Sequence, residues 1–166
     1  MVEKEKIFSS KVKYGEIFNF AEYYKFCHDW LDDEGFWLVE DKYVEKLKGD
    51  AKEIDVEWTC TKKITDYFKF EVKVKFKVIN MKKIEITYNG NKINTNKGTV
   101  ETNVTGTLLR DYESKFEQNG FLKFLRGIYE KWVIPSRVEE LEDKLADLCN
   151  DFLGQAKSYL DIEGKQ

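Results

Sequence analysis

The sequence is poor in the residues that build metal sites and disulfide frameworks. Its 166 residues include three cysteines, one histidine and one proline. Cys27, Cys60 and Cys149 are far apart and form no Cys-x-x-Cys pair, which excludes the usual zinc spacing. An odd, scattered set of cysteines is typical of reduced thiols that pack as small core residues. This cysteine usage predicts a cytoplasmic protein.

Long apolar runs are also absent. The first residues, MVEKEKIF, lack the apolar stretch of a secretory signal. No segment approaches the ~18 apolar residues that a transmembrane helix needs. We therefore expect a soluble, intracellular protein.

Catalytic and cofactor-binding motifs are missing as well. The chain has no Gly-x-Gly-x-x-Gly fingerprint and no P-loop. His28 has a carboxylate four residues later, at Asp32, and a surface histidine beside a carboxylate is the simplest interpretation. The acidic run 32–34 is interpreted as a solvated helix end, because consecutive side chains point in different directions and cannot converge on a cation. We predict no catalytic residue, no metal and no cofactor.

Aromatic and charged residues are abundant. Aromatic residues make up 15% of the chain and charged residues 36%. This is not a disordered composition, because aromatic and β-branched residues are plentiful. The length fits a single domain over residues 1–166, with its core in residues 5–160 and a flexible tail at 161–166. The aromatic excess indicates either a large aromatic core or an aromatic-lined cavity.

The segment 66–80, DYFKFEVKVKFKVIN, alternates apolar and charged residues. Its even positions from Phe68 to Val78 are apolar and share one face of a strand. The odd positions between them are charged and share the other face. A period of two predicts a strand that is covered on one side only, which is typical of an antiparallel sheet.

Alternation and turn residues predict the other strands, and a helical period predicts the helices. The predicted strands lie at residues 7–14, 36–48, 54–60, 66–80, 84–88, around 93 and 100–108, with turns at 89–90 and 96–98. The predicted helices lie at 16–31, at 121–132 and from the capping box Ser136-x-x-Glu139 onwards. We therefore predict an α+β fold. A curved antiparallel sheet of about six to seven strands grips a long C-terminal helix, and another helix lies between the first two strands.

This order of elements resembles the helix-grip fold of the START and birch-pollen-allergen superfamily. There a strand, a helical segment and a meander of six further strands precede a long C-terminal helix, which the curved sheet grips. The resemblance rests on element order and length, not on a motif. It has two departures: the chain has one helix where the family usually has two short ones, and Pro135 interrupts the C-terminal helix. An unrelated α+β sandwich fits the same pattern.

The resemblance implies an apolar cavity between the sheet and the last helix, often used for lipids or other hydrophobic ligands. The residues expected to line this cavity are Trp58, Phe70, Val72, Val74 and Phe76 on the sheet and Leu141, Leu145, Leu148 and Phe152 on the helix. We accordingly predict a non-catalytic binding protein that holds an apolar small molecule or a lipid.

Positive charge is concentrated in the middle of a chain whose net charge is −3. Residues 60–98 contain ten lysines and three acidic residues. Lys69, Lys73, Lys75 and Lys77 share one strand face, where they keep an exposed sheet surface soluble. The same stripe could meet an acidic protein, a membrane surface or a nucleic acid. It lacks arginine and outward aromatic residues, which argues against a nucleic acid.

A second hypothesis is a protein-interaction module or homodimer that uses the C-terminal helix or the basic sheet face. The apolar seam of that helix consists of Val138, Leu141, Leu145, Leu148 and Phe152. If the seam packs against the chain's own sheet, the ligand-binding hypothesis stands. If it is exposed in the monomer, the interaction hypothesis is favoured.

Overall fold

The computed structural model describes residues 3–113, 120–128, 131 and 135–164. The strands are β1 (Glu3–Phe18), β2 (Trp37–Lys48), β3 (Ala51–Lys63), β4 (Phe68–Tyr88) and β5 (Asn91–Arg110). The helices are α1 (Phe20–Asp33), α2 (Gly120–Ile128) and α3 (Pro135–Gly164). All neighbouring strands are antiparallel in the order β1-β5-β4-β3-β2. The α+β class, the antiparallel sheet, the helix between the first two strands and the C-terminal helix agree with the prediction.

The predicted count of six to seven strands is wrong, because the sheet has five. The predicted strands at 66–80 and 84–88 are one strand, β4, which continues through a register shift between Ile79 and Lys82. Asn80 adopts a positive φ of 54° at this bulge. On the other side of the hairpin, β5 runs without a break through the turn predicted at 96–98. Residues 96–98, which resemble a turn in sequence, instead belong to the bulged, exposed end of a long hairpin.

The two glycines assigned to turns have different roles. Asn89 and Gly90 both have positive φ, 49° and 80°, and form the predicted two-residue hairpin turn. Gly98 lies inside β5, opposite the β4 bulge. A Cβ on Gly98 would lie 2.9 Å from the Cα of Met81 and 3.0 Å from the carbonyl oxygen of Asn80. Gly98 therefore permits close backbone approach rather than a turn.

Helix α1 begins later than its apolar periodicity predicts. Glu16 pairs with Gly98 and Phe18 with Asn96, so these residues extend β1. Asn19 then caps the helix, with its side-chain oxygen accepting from the Glu22 N–H at 3.2 Å. The capping residue decides the boundary, because it provides an acceptor for an otherwise unpaired helix N–H.

One layer of buried side chains lies between the sheet and the helices. The even positions 68–78 of β4 are all buried, as the alternation predicts. Helix α3 packs against β1, β5 and α1. Its buried residues are Leu141, Leu145, Cys149, Phe152, Leu153, Ala156 and Leu160. Gly106 of β5 allows α3 to approach the sheet closely, because a Cβ there would lie 2.8 Å from the Cys149 Sγ.

A buried hydrogen bond joins α1 to the sheet within this layer. The Tyr23 hydroxyl lies 2.7 Å from Thr102 Oγ1, and both side chains are fully buried. Burial raises the pKa of Tyr23 above its usual value, so the phenol stays neutral. The pair supplies a polar connection in an otherwise apolar layer.

The variant Tyr23→Phe should lower the free energy of unfolding by about 1–2 kcal/mol, because Thr102 Oγ1 is left buried without this partner. Replacing both members, Tyr23→Phe with Thr102→Val, should recover most of that loss. Urea unfolding of the single and double variants measures the coupling. Additive losses would contradict a direct bond between the two hydroxyls.

Candidate ligand-binding site

The sequence-predicted cavity residues lie in one cluster of buried side chains. Trp58, Phe70, Val72, Val74 and Phe76 are at most 1% exposed and face the helices. On α3, the residues Leu141, Leu145 and Phe152 are buried, and Leu148 is partly buried at the margin. The structure therefore brings the two predicted sets together. A ligand between them stays a prediction.

The aromatic part of this layer continues to the protein surface. The Trp58 ring meets Phe76 edge-on at 4.8 Å and Tyr24 edge-on at 5.0 Å. Tyr24 in turn meets Tyr43 of β2 at 6.3 Å. Since Tyr43 is exposed, this row of rings connects the buried layer to solvent.

A pocket of about 460 Å³ opens at that end of the layer. It lies between the start of α1 and strands β2, β3 and β4, and its lining residues are Asn19, Phe20, Ala21, Tyr24, Tyr43, Glu45, Lys52, Ile54, Met81, Lys83 and Asn96. Phe20, Ile54 and Met81 are buried and form an apolar floor. Tyr24 and Tyr43 form an aromatic wall. The volume is within the ~300–1,000 Å³ that small-molecule sites occupy.

Hydrogen bonds hold the two wall tyrosines in place. Tyr24 donates its hydroxyl to Glu40 Oε1 at 2.5 Å, and Tyr43 donates to Glu45 Oε1 at 2.8 Å. Trp58 Nε1 also donates to Glu40 Oε1, at 3.2 Å. Desolvation, followed by the hydrogen bond to the carboxylate, raises the pKa of both tyrosines to about 12. The wall is therefore neutral and fixed at physiological pH.

The rim of the pocket carries uncompensated positive charge. Glu45 is engaged by Tyr43 and by Lys52, whose Nζ lies 3.7 Å from Glu45 Oε2. Lys83 is exposed on the same rim and forms no ion pair with any residue in the described part of the chain. The N-terminus of α1 adds a positive helix end beside it, which Glu22 in the first turn partly offsets. The rim thus favours an anionic group above an apolar floor.

Sequence reasoning found Trp58 and Phe76 but missed the pocket that lies in front of them. Tyr43 and Glu45 reach it through the pairing of β2 with β3, where they lie opposite Val56 and Ile54. Met81 reaches it through the β4 bulge, which breaks the even-numbered alternation after Val78. The irregular apolar pattern of residues 36–48 was the one available signal for an exposed aromatic wall.

The basic stripe lies on the sheet face away from the helices. Lys73, Lys75 and Lys77 are exposed, and Lys69 is half-buried with its Nζ 5.5 Å from the Tyr112 ring centroid. Acidic residues of the neighbouring strand interleave with the stripe, as where Lys75 Nζ lies 3.6 Å from Glu57 Oε1. The stripe is therefore a mixed, solvated surface, as its role in solubility predicts.

The histidine and the acidic residues do not form a metal centre in the described ranges 3–113, 120–128, 131 and 135–164, where no group of three or more potential ligands converges. His28 is half-buried, and its Nδ1 lies 3.4 Å from Asp29 Oδ1 rather than beside Asp32. The three cysteines are free and buried. Burial raises the pKa of Cys60 and Cys149 to about 12, so their thiols stay protonated.

The chain matches no protein-family model, no curated protein sequence and no solved structure. The helix-grip resemblance therefore stays a prediction that rests on the order of elements. The function proposed below is therefore based on the geometry of the pocket.

Proposed function

We propose that this protein is a non-catalytic binding protein for a small apolar molecule with an anionic head group. The supporting observation is the combination of an apolar floor, a neutral tyrosine wall and the uncompensated Lys83 in one open pocket. Floor and wall would hold an alkyl or ring system, and Lys83 with the α1 N-terminus would hold a carboxylate. Fatty acids have this chemistry. The START-like resemblance is part of the same proposal.

The proposed ligand position differs from the cavity predicted by the sequence. The pocket lies at the α1 end of the layer, with Trp58 and Phe76 behind its wall. A chain that penetrates further would reach the predicted lining residues between the sheet and α3. The head group stays at Lys83 in either case, because the layer behind it is apolar.

Binding is favoured over turnover because the two tyrosines of the pocket wall are neutral donors to carboxylates. The buried thiols of Cys60 and Cys149 do not line the pocket and are poor nucleophiles. Free, buried cysteines also accord with the reducing cytoplasm, which we keep as the proposed location.

The competing hypothesis of an interaction module needs an exposed α3 seam. Leu141, Leu145 and Phe152 are instead at most 2% exposed and pack within the chain's own core. This burial favours the binding protein over a dimer formed through α3.

Decanoate should raise the unfolding temperature of the protein in proportion to the logarithm of its concentration, since it binds only the folded state. Decanol, which lacks the charge, should bind more weakly. The variant Lys83→Gln should weaken decanoate binding about fivefold, a loss of ~1 kcal/mol, and leave decanol binding unchanged. Isothermal titration calorimetry measures the affinity of the unaltered protein and of Lys83→Gln for each of the two ligands.

The matched control is Lys92→Gln, on the same β4–β5 hairpin but outside the pocket, where Lys92 Nζ lies 3.6 Å from Glu85 Oε1. It should leave the affinity for decanoate unchanged. If Lys83→Gln and the unaltered protein bound decanoate with equal affinity, Lys83 would not be the head-group site.

The variant Ala21→Trp should block the pocket without disturbing the core, because Ala21 lines the pocket and is exposed. We expect at least a tenfold loss of decanoate affinity, corresponding to about 1.4 kcal/mol. The unfolding temperature without ligand should change little, since exposed substitutions usually stay within ~0.5 kcal/mol. Retained affinity would place the ligand elsewhere.

A further inference from the structure

Helix α2 presents an apolar face to solvent. Phe121 and Phe124 are 68% and 64% exposed, and Leu125 and Ile128 are 38% and 39% exposed. These four residues follow the spacing i, i+3, i+4, i+7, so they lie on one side of the helix. A continuous apolar face on the outside of a protein is typical of an interaction surface.

The opposite side of α2 is basic. Lys123 is exposed, and at ~100° per residue its position lies across the helix from the apolar face. The helix contains no acidic residue, although the whole chain has a net charge of −3. Leu122, between the two sides, is half-buried. The helix is thus apolar on its outer side and positively charged, which favours an anionic, apolar partner.

We propose that α2 is a membrane-surface anchor that lies in the interface of an anionic bilayer. Phe121, Phe124, Leu125 and Ile128 enter the boundary between headgroups and acyl chains, and Lys123 interacts with lipid phosphates and carboxylates. The contact is peripheral, because no helix in the described part of the chain is long and apolar enough to cross a membrane.

A second copy of the chain fits this surface less well. Nine residues span about 13 Å, and four side chains on such a helix cover much less than the ~800 Å² per partner of a standard protein interface. A bilayer does not have this limitation, since it accepts a short apolar face and supplies the negative charge.

Flotation with lipid vesicles tests the anchor directly. The full chain should float with vesicles of phosphatidylcholine and phosphatidylserine at 70:30 and bind pure phosphatidylcholine about tenfold more weakly. The variant Phe124→Ser should lower the partition coefficient at least about tenfold on the mixed vesicles. Lys123→Glu should weaken binding to the mixed vesicles and leave binding to pure phosphatidylcholine unchanged.

The matched control is Ile162→Ser on α3, because Ile162 is 63% exposed and so nearly equal in exposure to Phe124. It should float like the unaltered protein, and all variants should keep the unaltered unfolding temperature. Failure of the full chain to float, or equal partitioning of Phe124→Ser and Ile162→Ser, would overturn the proposal. So would a concentration-dependent dimer in lipid-free ultracentrifugation that Phe124→Ser abolishes, since α2 would then bind a second copy.

Discussion

Replacing Val74 by aspartate is expected to lower the free energy of unfolding by about 3–5 kcal/mol. Val74 is fully buried at the centre of β4, opposite Trp58 on one neighbour and Val104 on the other. A carboxylate there would face only apolar side chains of the layer beneath the helices. Either its charge is buried unpaired or its pKa rises until it is neutral, and both outcomes weaken the fold. Urea unfolding gives the magnitude.

Lys73→Asp is the matched control one residue away. Lys73 is exposed on the other face of β4 and lies opposite Thr59 and Thr105, so the new carboxylate meets no acidic residue directly across the strands. Lys75 is less suitable because it lies 3.6 Å from Glu57. We expect Lys73→Asp to change the free energy of unfolding by less than ~0.5–1 kcal/mol. Equal losses in the two variants would show that the assignment of the two sheet faces is wrong.

Gly98→Ala is expected to lower the free energy of unfolding by about 1–3 kcal/mol, the cost of overpacking. The new Cβ would lie 2.9 Å from Met81 Cα and 3.0 Å from the carbonyl oxygens of Ile79 and Asn80. These are backbone atoms, so relief requires movement of the β4 bulge. Since Met81 lies in the pocket floor, the same variant should also weaken decanoate binding.

Gly154→Ala in α3 is the control, because it is expected to raise the free energy of unfolding rather than lower it. A Cβ at Gly154 meets nothing within 4 Å, and the residue is exposed in the helix. Alanine should therefore stabilise the protein by roughly 0.5–1 kcal/mol through its higher helix propensity. If thermal unfolding showed that Gly98→Ala also stabilises the protein, the close approach of β5 to the β4 bulge at Gly98 would be contradicted.

Local patterns in the sequence predicted the parts of the fold that depend on local rules. The alternation from Phe68 to Val78 assigned both faces of β4, and Asn89-Gly90 located the hairpin turn. The strand count was wrong at residues 80–83 and 96–98. The apolar alternation stops after residue 80 and a turn is predicted at 96–98, but the pairing of β4 with β5 holds both segments extended.

Long-range packing also decided the details that the sequence left open. A 3.6-residue period allows either Leu148 or Cys149 to occupy the middle of the α3 stripe. The absence of a side chain at Gly106 admits Cys149 there, and Leu148 moves to the margin. The pocket could not be predicted for the same reason, because it depends on the register of β2 against β3 and on the β4 bulge.

The most direct test of the proposed function is methyl NMR of the protein titrated with decanoate. Ala21, Ile54 and Met81 report on the pocket, while Leu141 and Leu145 report on the layer between the sheet and α3. We predict saturable shifts at the Met81 and Ile54 methyls that Ala21→Trp abolishes. Saturating decanoate that shifts none of these methyls, or shifts only Leu141 and Leu145, would contradict the binding site described above.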